Sequence, residues 1–193
     1  MPPGRPRTRT DDELLDAAFR AVGAVGPARL TLADVAAEAG VAPATLVQRF
    51  GSKRALLVAA AARAAQRAAH ALPPPGDAPL TALTDGLVAL TEPVRDPAAF
   101  ANHLALLQLD LADPELRKLA VAHARGLRRA IRTLLDAAVT NGQLEPCDTK
   151  ALADSVHATF HGAQLDWAVD RRGSLAARVR GALATVLEPR CPK

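Results

Sequence analysis

The stretch Thr31-Leu32-Ala33-Asp34-Val35-Ala36-Ala37-Glu38-Ala39-Gly40-Val41-Ala42-Pro43-Ala44-Thr45-Leu46-Val47-Gln48-Arg49-Phe50 carries the pattern of two short helices meeting across a tight turn. Thr31 can cap the first helix, about Leu32 to Ala39, with Leu32, Val35 and Ala36 facing inward. Two helices crossing near a right angle need a small residue where they come closest, and Ala36 supplies it. Gly40 tolerates the positive φ that the turn requires, and Val41 plugs the gap behind it. Pro43 opens the second helix at a first-turn position, where its missing N–H costs little. Leu46 and Phe50 then point inward. Taken alone, the spacing of Ala36, Gly40, Val41 and Leu46 fits a helix-turn-helix or an ordinary helical hairpin.

Working outward, Thr10 or Asp11 caps a preceding helix, and Asp11, Asp12 and Glu13 favour its positive end. Leu14, Leu15, Ala18, Phe19 and Val22 form its apolar stripe, and Gly26-Pro27 ends it. Ser52 caps a fourth helix through Leu56, Leu57 and Ala60 to about Leu72. The strongest break is Leu72-Pro73-Pro74-Pro75-Gly76-Asp77, where we place a domain boundary. Beyond it the spacing predicts helices near 79–92, 97–111, 114–141, 149–170 and 174–188. The expected organisation is a flexible basic arm over 1–10, a helical head with its linking helix over 11–72, and a helical trunk over 73–193. Alanine dominates, tyrosine is absent, and good helix formers recur with 3.6-residue apolar spacing, so the fold class is all-α.

Composition narrows the function classes. No apolar run approaches a transmembrane length, and no apolar stretch follows the basic start, so we expect a cytoplasmic protein with no membrane partner. Cys147 and Cys191 are too few for a disulfide framework and lack metal-site spacing. The net charge of +4 is unevenly placed: residues 1–72 hold ten Lys/Arg against six Asp/Glu, and the remainder holds fourteen of each. That suits a nucleic-acid-binding head on a neutral trunk, or simply a solvated basic tail.

Thr31 to Leu46, followed by Phe50-Gly51-Ser52-Lys53-Arg54-Ala55-Leu56-Leu57, resembles the TetR family of transcriptional regulators. Leu14-Leu15-Asp16-Ala17-Ala18-Phe19 through Gly26 looks like that family's first helix. The resemblance covers residues 11–60 closely and the rest by length and helical layout. It implies three N-terminal helices forming a helix-turn-helix DNA-binding domain, and a C-terminal helical ligand-binding and dimerisation domain. It further implies a homodimer that sets two recognition helices in successive major grooves of a palindromic operator, about 34–36 Å apart. An unknown small-molecule effector would release the double-stranded DNA, making the protein a ligand-responsive repressor.

The first half of a recognition helix faces base edges, so Ala42, Pro43, Ala44, Thr45, Gln48 and Arg49 are the candidates. Gln48 is suited to adenine and Arg49 to guanine, although Arg49 suits a phosphate nearly as well. The resemblance assigns Thr31 and Lys53 to the phosphate backbone. Arg5, Arg7 and Arg9 can reach phosphates or the minor groove. The family usually has a tyrosine directly after the recognition-helix leucine; here Val47 stands there, and Arg49 is the candidate replacement.

In the trunk, the stripe of Phe160 and Trp167 and that of Leu175, Val179 and Leu183 are either internal core or, as the resemblance implies, a four-helix dimer interface. Phe100, His103, Leu104, Leu107 and His123, with His157 and His161, are candidate effector-binding residues. His157 and His161 with Asp154 hint at a metal, but the metalloprotease pattern needs Glu after the first His, and position 158 is Ala. We therefore expect no metal, cofactor or catalytic residue, and no nucleophile–base pair or phosphate-binding glycine loop argues for an enzyme. The alternatives are a transcriptional activator, or a small-molecule-binding helical protein without operator binding.

Overall fold

The computed structural model describes residues 9–94 and 96–192, which form nine α-helices and no strand. These are α1 (Asp11–Val25), α2 (Leu32–Ala39), α3 (Pro43–Phe50), α4 (Lys53–Arg67), α5 (Pro79–Ala89), α6 (Pro97–Ala112), α7 (Pro114–Thr140), α8 (Thr149–Asp170) and α9 (Leu175–Leu187). Arg5 and Arg7 lie outside the described residues.

Local chemistry explains most of the helix starts. Thr10 with Glu13 and Thr31 with Asp34 form capping boxes on α1 and α2. Ser52, Asp96, Asp113, Asp148 and Ser174 each accept a first-turn N–H. Gly40 ends α2 in the left-handed region at φ 67°, where its own N–H and that of Val41 return to carbonyls of the last turn. That turn sets the direction in which α3 leaves.

The head core is Leu14, Leu15, Ala17, Ala18, Ala21, Val22, Leu30, Val35, Ala36, Ala39, Leu46, Leu56 and Leu57. Five of these thirteen residues are alanines, which let short helices cross closely. The trunk core is larger-grained: Phe100, Ile131, Leu134, Leu135, Phe160 and Trp167 anchor it. Two seams join head to trunk. In one, α4 crosses α7 so closely that a Cβ on Gly126 would lie 2.7 Å from the Ala68 Cβ. The α-helix accordingly stops at Arg67 and tightens to a 3₁₀ turn over Ala68–His70, short of the expected Leu72. Leu72 itself packs into the trunk core. In the other seam α1 meets α6, and Leu106 of α6 packs on the head core.

Phe19 departs from its expected inward place. It is 43% exposed and stacks on the His103 ring at 4.3 Å. Leu15, Ala18 and Val22 already fill the inner face of α1, so Phe19, at the edge of the stripe, covers α6 instead.

The stripe assigned to a dimer interface is internal. Phe160, Trp167, Leu175, Val179 and Leu183 are between 0% and 7% exposed within the single chain and belong to its own core. The inner faces of α8 and α9 pack on each other and on α7 and α5, which uses up these side chains. The Trp167 indole N–H is also spent, on the Gly173 carbonyl.

Candidate nucleic-acid interface and trunk site

Helix α3 is held by one side. Leu46 is fully buried, Thr45 and Phe50 are half-buried, and Ala42, Pro43, Ala44 and Gln48 are exposed together. Val47, where a tyrosine was expected from the resemblance, is 53% exposed. The outer surface of the helix is therefore small and apolar, with Gln48 as its long amide.

Arg49 does something the sequence did not suggest. Its guanidinium donates to the Arg9 carbonyl at 2.6 Å and to the Asp11 carboxylate at 2.8 Å. Arg9 in turn donates from Nε to the Ala39 carbonyl at 3.1 Å and pairs with Glu13 at 2.8 Å. Two arginines thus pin the start of α1 across the end of α2 and the end of α3. Arg9, Thr10, Asp11 and Arg49 line an open hollow of about 450 Å³. No local pattern could have revealed this, because the partners lie 38 and 40 residues apart in the chain.

The two residues matched to phosphate positions flank α3 but are engaged internally. The Thr31 hydroxyl donates to the Asp34 carboxylate at 2.7 Å and accepts the Asp34 N–H. Those bonds hold the Asp34 carboxyl below its usual range. Lys53, half-buried, donates to the Ala28 carbonyl at 3.2 Å.

The trunk candidates separate into groups. Phe100 is in the core, and Leu104 and Leu107 are exposed at 38% and 45%. His103 belongs to the head–trunk seam: it stacks on Phe19, and its Nδ1 is buried with no hydrogen-bond partner. Burial keeps its proton affinity low. Beside it Asn102 donates to the Gly23 carbonyl at 2.8 Å.

His123, His157 and His161 do come together, across α7 and α8. The His157 and His161 rings meet edge-on at 4.6 Å, and Phe160 lies 5.2 Å from His161. Burial, then His161, Arg128 and His123, push His157 down to about 4. His161 is lowered by burial and by His123 and Arg128, and His123 by burial. Arg128 is the neighbour that sequence reading missed. Its Nε sits 3.1 Å from the Asp154 carboxylate, and only the folded α7–α8 pairing brings it there. Among the described residues, no group of three or more His, Cys, Asp or Glu is arranged to hold a metal ion. Asp110, on α6, is half-buried, and desolvation raises its carboxyl to about 6.

A shallow groove of about 610 Å³ runs over the outer faces of α8 and α9, past Thr159, Gly162, Asp166, Ala177, Gly181 and Thr185. A Cβ on Gly162 or Gly181 would meet nothing within 4 Å. No helix is long and apolar enough to cross a membrane among the described residues.

Comparison with known proteins gives two adjoining family matches. Residues 14–60 match the family described as bacterial regulatory proteins, tetR family, and residues 80–192 match the BetI-type transcriptional repressor C-terminal family. Similar solved structures include a TetR transcription regulator from Haloarcula marismortui, 17% identical, covering 94% of this chain and 98% of that one with a TM-score of 0.73. Another is SmeT, the repressor of the Stenotrophomonas maltophilia multidrug efflux pump SmeDEF, 24% identical, covering 96% and 92% with a TM-score of 0.66. A SmeT–triclosan complex is similar at 21% identity, covering 95% and 92% with a TM-score of 0.65. No curated protein matches in sequence.

Proposed function

The chain belongs to the TetR family of bacterial regulatory proteins, and from that premise we infer that it is a homodimeric repressor whose grip on a palindromic operator is released by a small molecule. The observation that carries this reading is α3: a helix buried through Leu46 that turns Ala42, Pro43, Ala44 and Gln48 together to solvent. Gln48 reads a base edge, the small residues meet thymine methyls, and Thr45 supports them from the half-buried edge. Thr31 and Lys53 meet phosphates on either side, exchanging their internal bonds for the stronger anion. Arg49 acts as a clamp that holds Arg9 and the start of α1 beside the recognition helix.

Dimerisation uses the groove over α8 and α9 rather than the apolar stripe. Gly162 and Gly181 let the helices of a second copy approach closely, and Asp166, Arg172 and Arg178 supply a polar rim. The effector enters the trunk near His123, His157, His161, Leu104 and Leu107. The SmeT–triclosan complex shows a protein of this fold with a small molecule bound, which supports a small-molecule effector here.

The test is titration of duplexes drawn from the DNA flanking the protein's own gene, followed by fluorescence anisotropy. One palindromic duplex should bind with an affinity that falls linearly, on logarithmic axes, with salt. A protein that ignores all of them at low salt is not this regulator.

A further inference from the structure

The trunk holds a cluster in which one carboxylate serves an arginine and three imidazoles that the protein keeps neutral. His123 and Arg128 on α7 face His157 and His161 on α8, and Asp154 on α8 is the acid paired there, 3.1 Å from Arg128. His157 is buried, and His161, desolvated on the side that packs into the cluster, keeps an exposed outer edge. The Arg128 Nε is buried, and although Asp154 is near, their alignment leaves it without a hydrogen bond. Four groups able to carry positive charge thus share one carboxylate.

Exposed apolar residues lie on α6 and α8, the helices packed with α7 around this cluster. The Arg128–Asp154 and Thr149–Asp136 contacts show that α7 and α8 run antiparallel, so the stretch of α8 after His161 runs beside α7 ahead of His123. On α8, Leu165 follows His161 by one turn and is 48% exposed. The α6–α7 hairpin reverses at Asp113, which brings Leu107 and Leu104 level with the Leu119–His123 stretch of α7. Leu104, Leu107 and Leu111 continue the stripe that begins at buried Phe100, yet they are 38%, 45% and 63% exposed. A stripe that starts in the core and emerges uncovered on a helix packed against α7 and α8 is suited to a ligand with an apolar body, and the unpartnered Arg128 Nε among protonatable imidazoles is suited to an anionic end.

We propose that the effector is an organic acid, its anionic headgroup held by His123, His161 and Arg128, with His157 behind them and its apolar body along Leu104, Leu107 and Leu165. This rests on the reading of the chain as an effector-controlled regulator and names the effector's class. Charge selection follows from the cluster: a cation would face Arg128 with Asp154 already committed, and a neutral headgroup would neither answer the unpartnered Arg128 Nε with charge nor favour protonation of the imidazoles. An anion supplies the missing counter-charge and makes protonation of His161 and His123 favourable. Binding is therefore linked to proton uptake, and by reciprocity acid conditions strengthen binding. The groups that face these imidazoles are Arg128 on α7 and Asp154 on α8, with each imidazole also facing the others.

Three ligands with one tail separate the possibilities: decanoate, decanol and decyltrimethylammonium, titrated calorimetrically into the full-length protein at pH 6 and pH 8. Decanoate should bind on the order of tenfold tighter than either companion at pH 6, with a proton taken up, and lose several-fold at pH 8. The His123→Gln/His161→Gln double variant should keep its helical circular dichroism and lose both the preference and the proton uptake. Tighter binding of the cation or the alcohol, no binding of decanoate, or a preference unchanged in the double variant would each overturn the proposal. None of these readings involves DNA, so the regulator reading stands or falls separately, on titration with duplex DNA.

Discussion

The head and the trunk are built from the same alanine-rich helical sequence, yet they use their apolar residues differently. The head buries most of its large ones, Phe19 and Val47 apart: Leu14, Leu46 and Leu56 are fully covered, and Ala17, Ala18, Ala21 and Ala36 let short helices cross. What it leaves outside on α3 is small or polar. The trunk builds a coarser core of Leu, Ile, Phe and Trp, buries His157 and Gln164 within it, and still leaves Leu104, Leu107, Leu109 and Leu111 uncovered. A fold that needs most of its apolar residues has a surface made for a polar partner. One that carries surplus apolar and titratable groups has room for a ligand.

The contrast breaks most sharply if head and trunk prove to be a single cooperative unit. Leu46→Ala should cost about 2–5 kcal/mol, because Leu46 is fully enclosed. Trp167, the sole tryptophan, lies in the trunk core. In urea, circular dichroism of the variant should show an early head transition while Trp167 fluorescence holds its midpoint. Coincident shifts would mean that the α4–α7 and α1–α6 seams fuse the two regions.

Gly181→Leu sharpens the role of the trunk's outer face. A Cβ at this position meets nothing within 4 Å in the protomer, and replacing a helical glycine should stabilise that chain by up to about 1 kcal/mol. Light scattering should nonetheless show a monomer. Affinity for a palindrome should fall on the order of a hundredfold, as expected when two half-sites no longer act together. A variant that stays dimeric places the interface elsewhere.

Asp110→Asn tests whether the trunk tolerates charge at a cost. Desolvation raises the Asp110 carboxyl from its ordinary 3.8 to about 6, so the folded chain holds the proton more tightly than the unfolded one. The penalty is fully present above pH 6 and fades as pH falls toward 4. After allowance for solvent screening, the variant should gain about 1 kcal/mol at pH 8 and almost nothing at pH 4, read from urea midpoints. A gain independent of pH would point to packing instead of charge. Smallest of all, Arg20→Ala removes an exposed pair with Glu38 and should change head stability by less than about 1 kcal/mol.

How legible each region was follows from the same contrast. Thr31, Gly40 and Pro43 act within four residues of themselves, so the limits of α2 and α3 could be read directly from the sequence. Arg49 could not, since its partners Arg9 and Asp11 come near only when α1 folds back across α3. The stripe through Phe160, Trp167, Val179 and Leu183 was recognisable as apolar, but an amphipathic pattern does not say what it will be buried against. Here the protomer's own α7–α9 packing took it, and the glycines and threonines of the opposite faces were left outside. The His157–His161 pair was visible from its spacing, whereas Arg128 and His123 joined it only through the pairing of α7 with α8.

The claim on which the rest depends is that the exposed face of α3 reads DNA. Anisotropy titration of a palindromic duplex and a base-substituted control, with the wild type and Gln48→Ala, tests it most directly. The account predicts that Gln48→Ala loses about 1–3 kcal/mol of discrimination between the duplexes while keeping the salt slope set by phosphate contacts. Undiminished discrimination in Gln48→Ala, or no preference in the wild type, would contradict it.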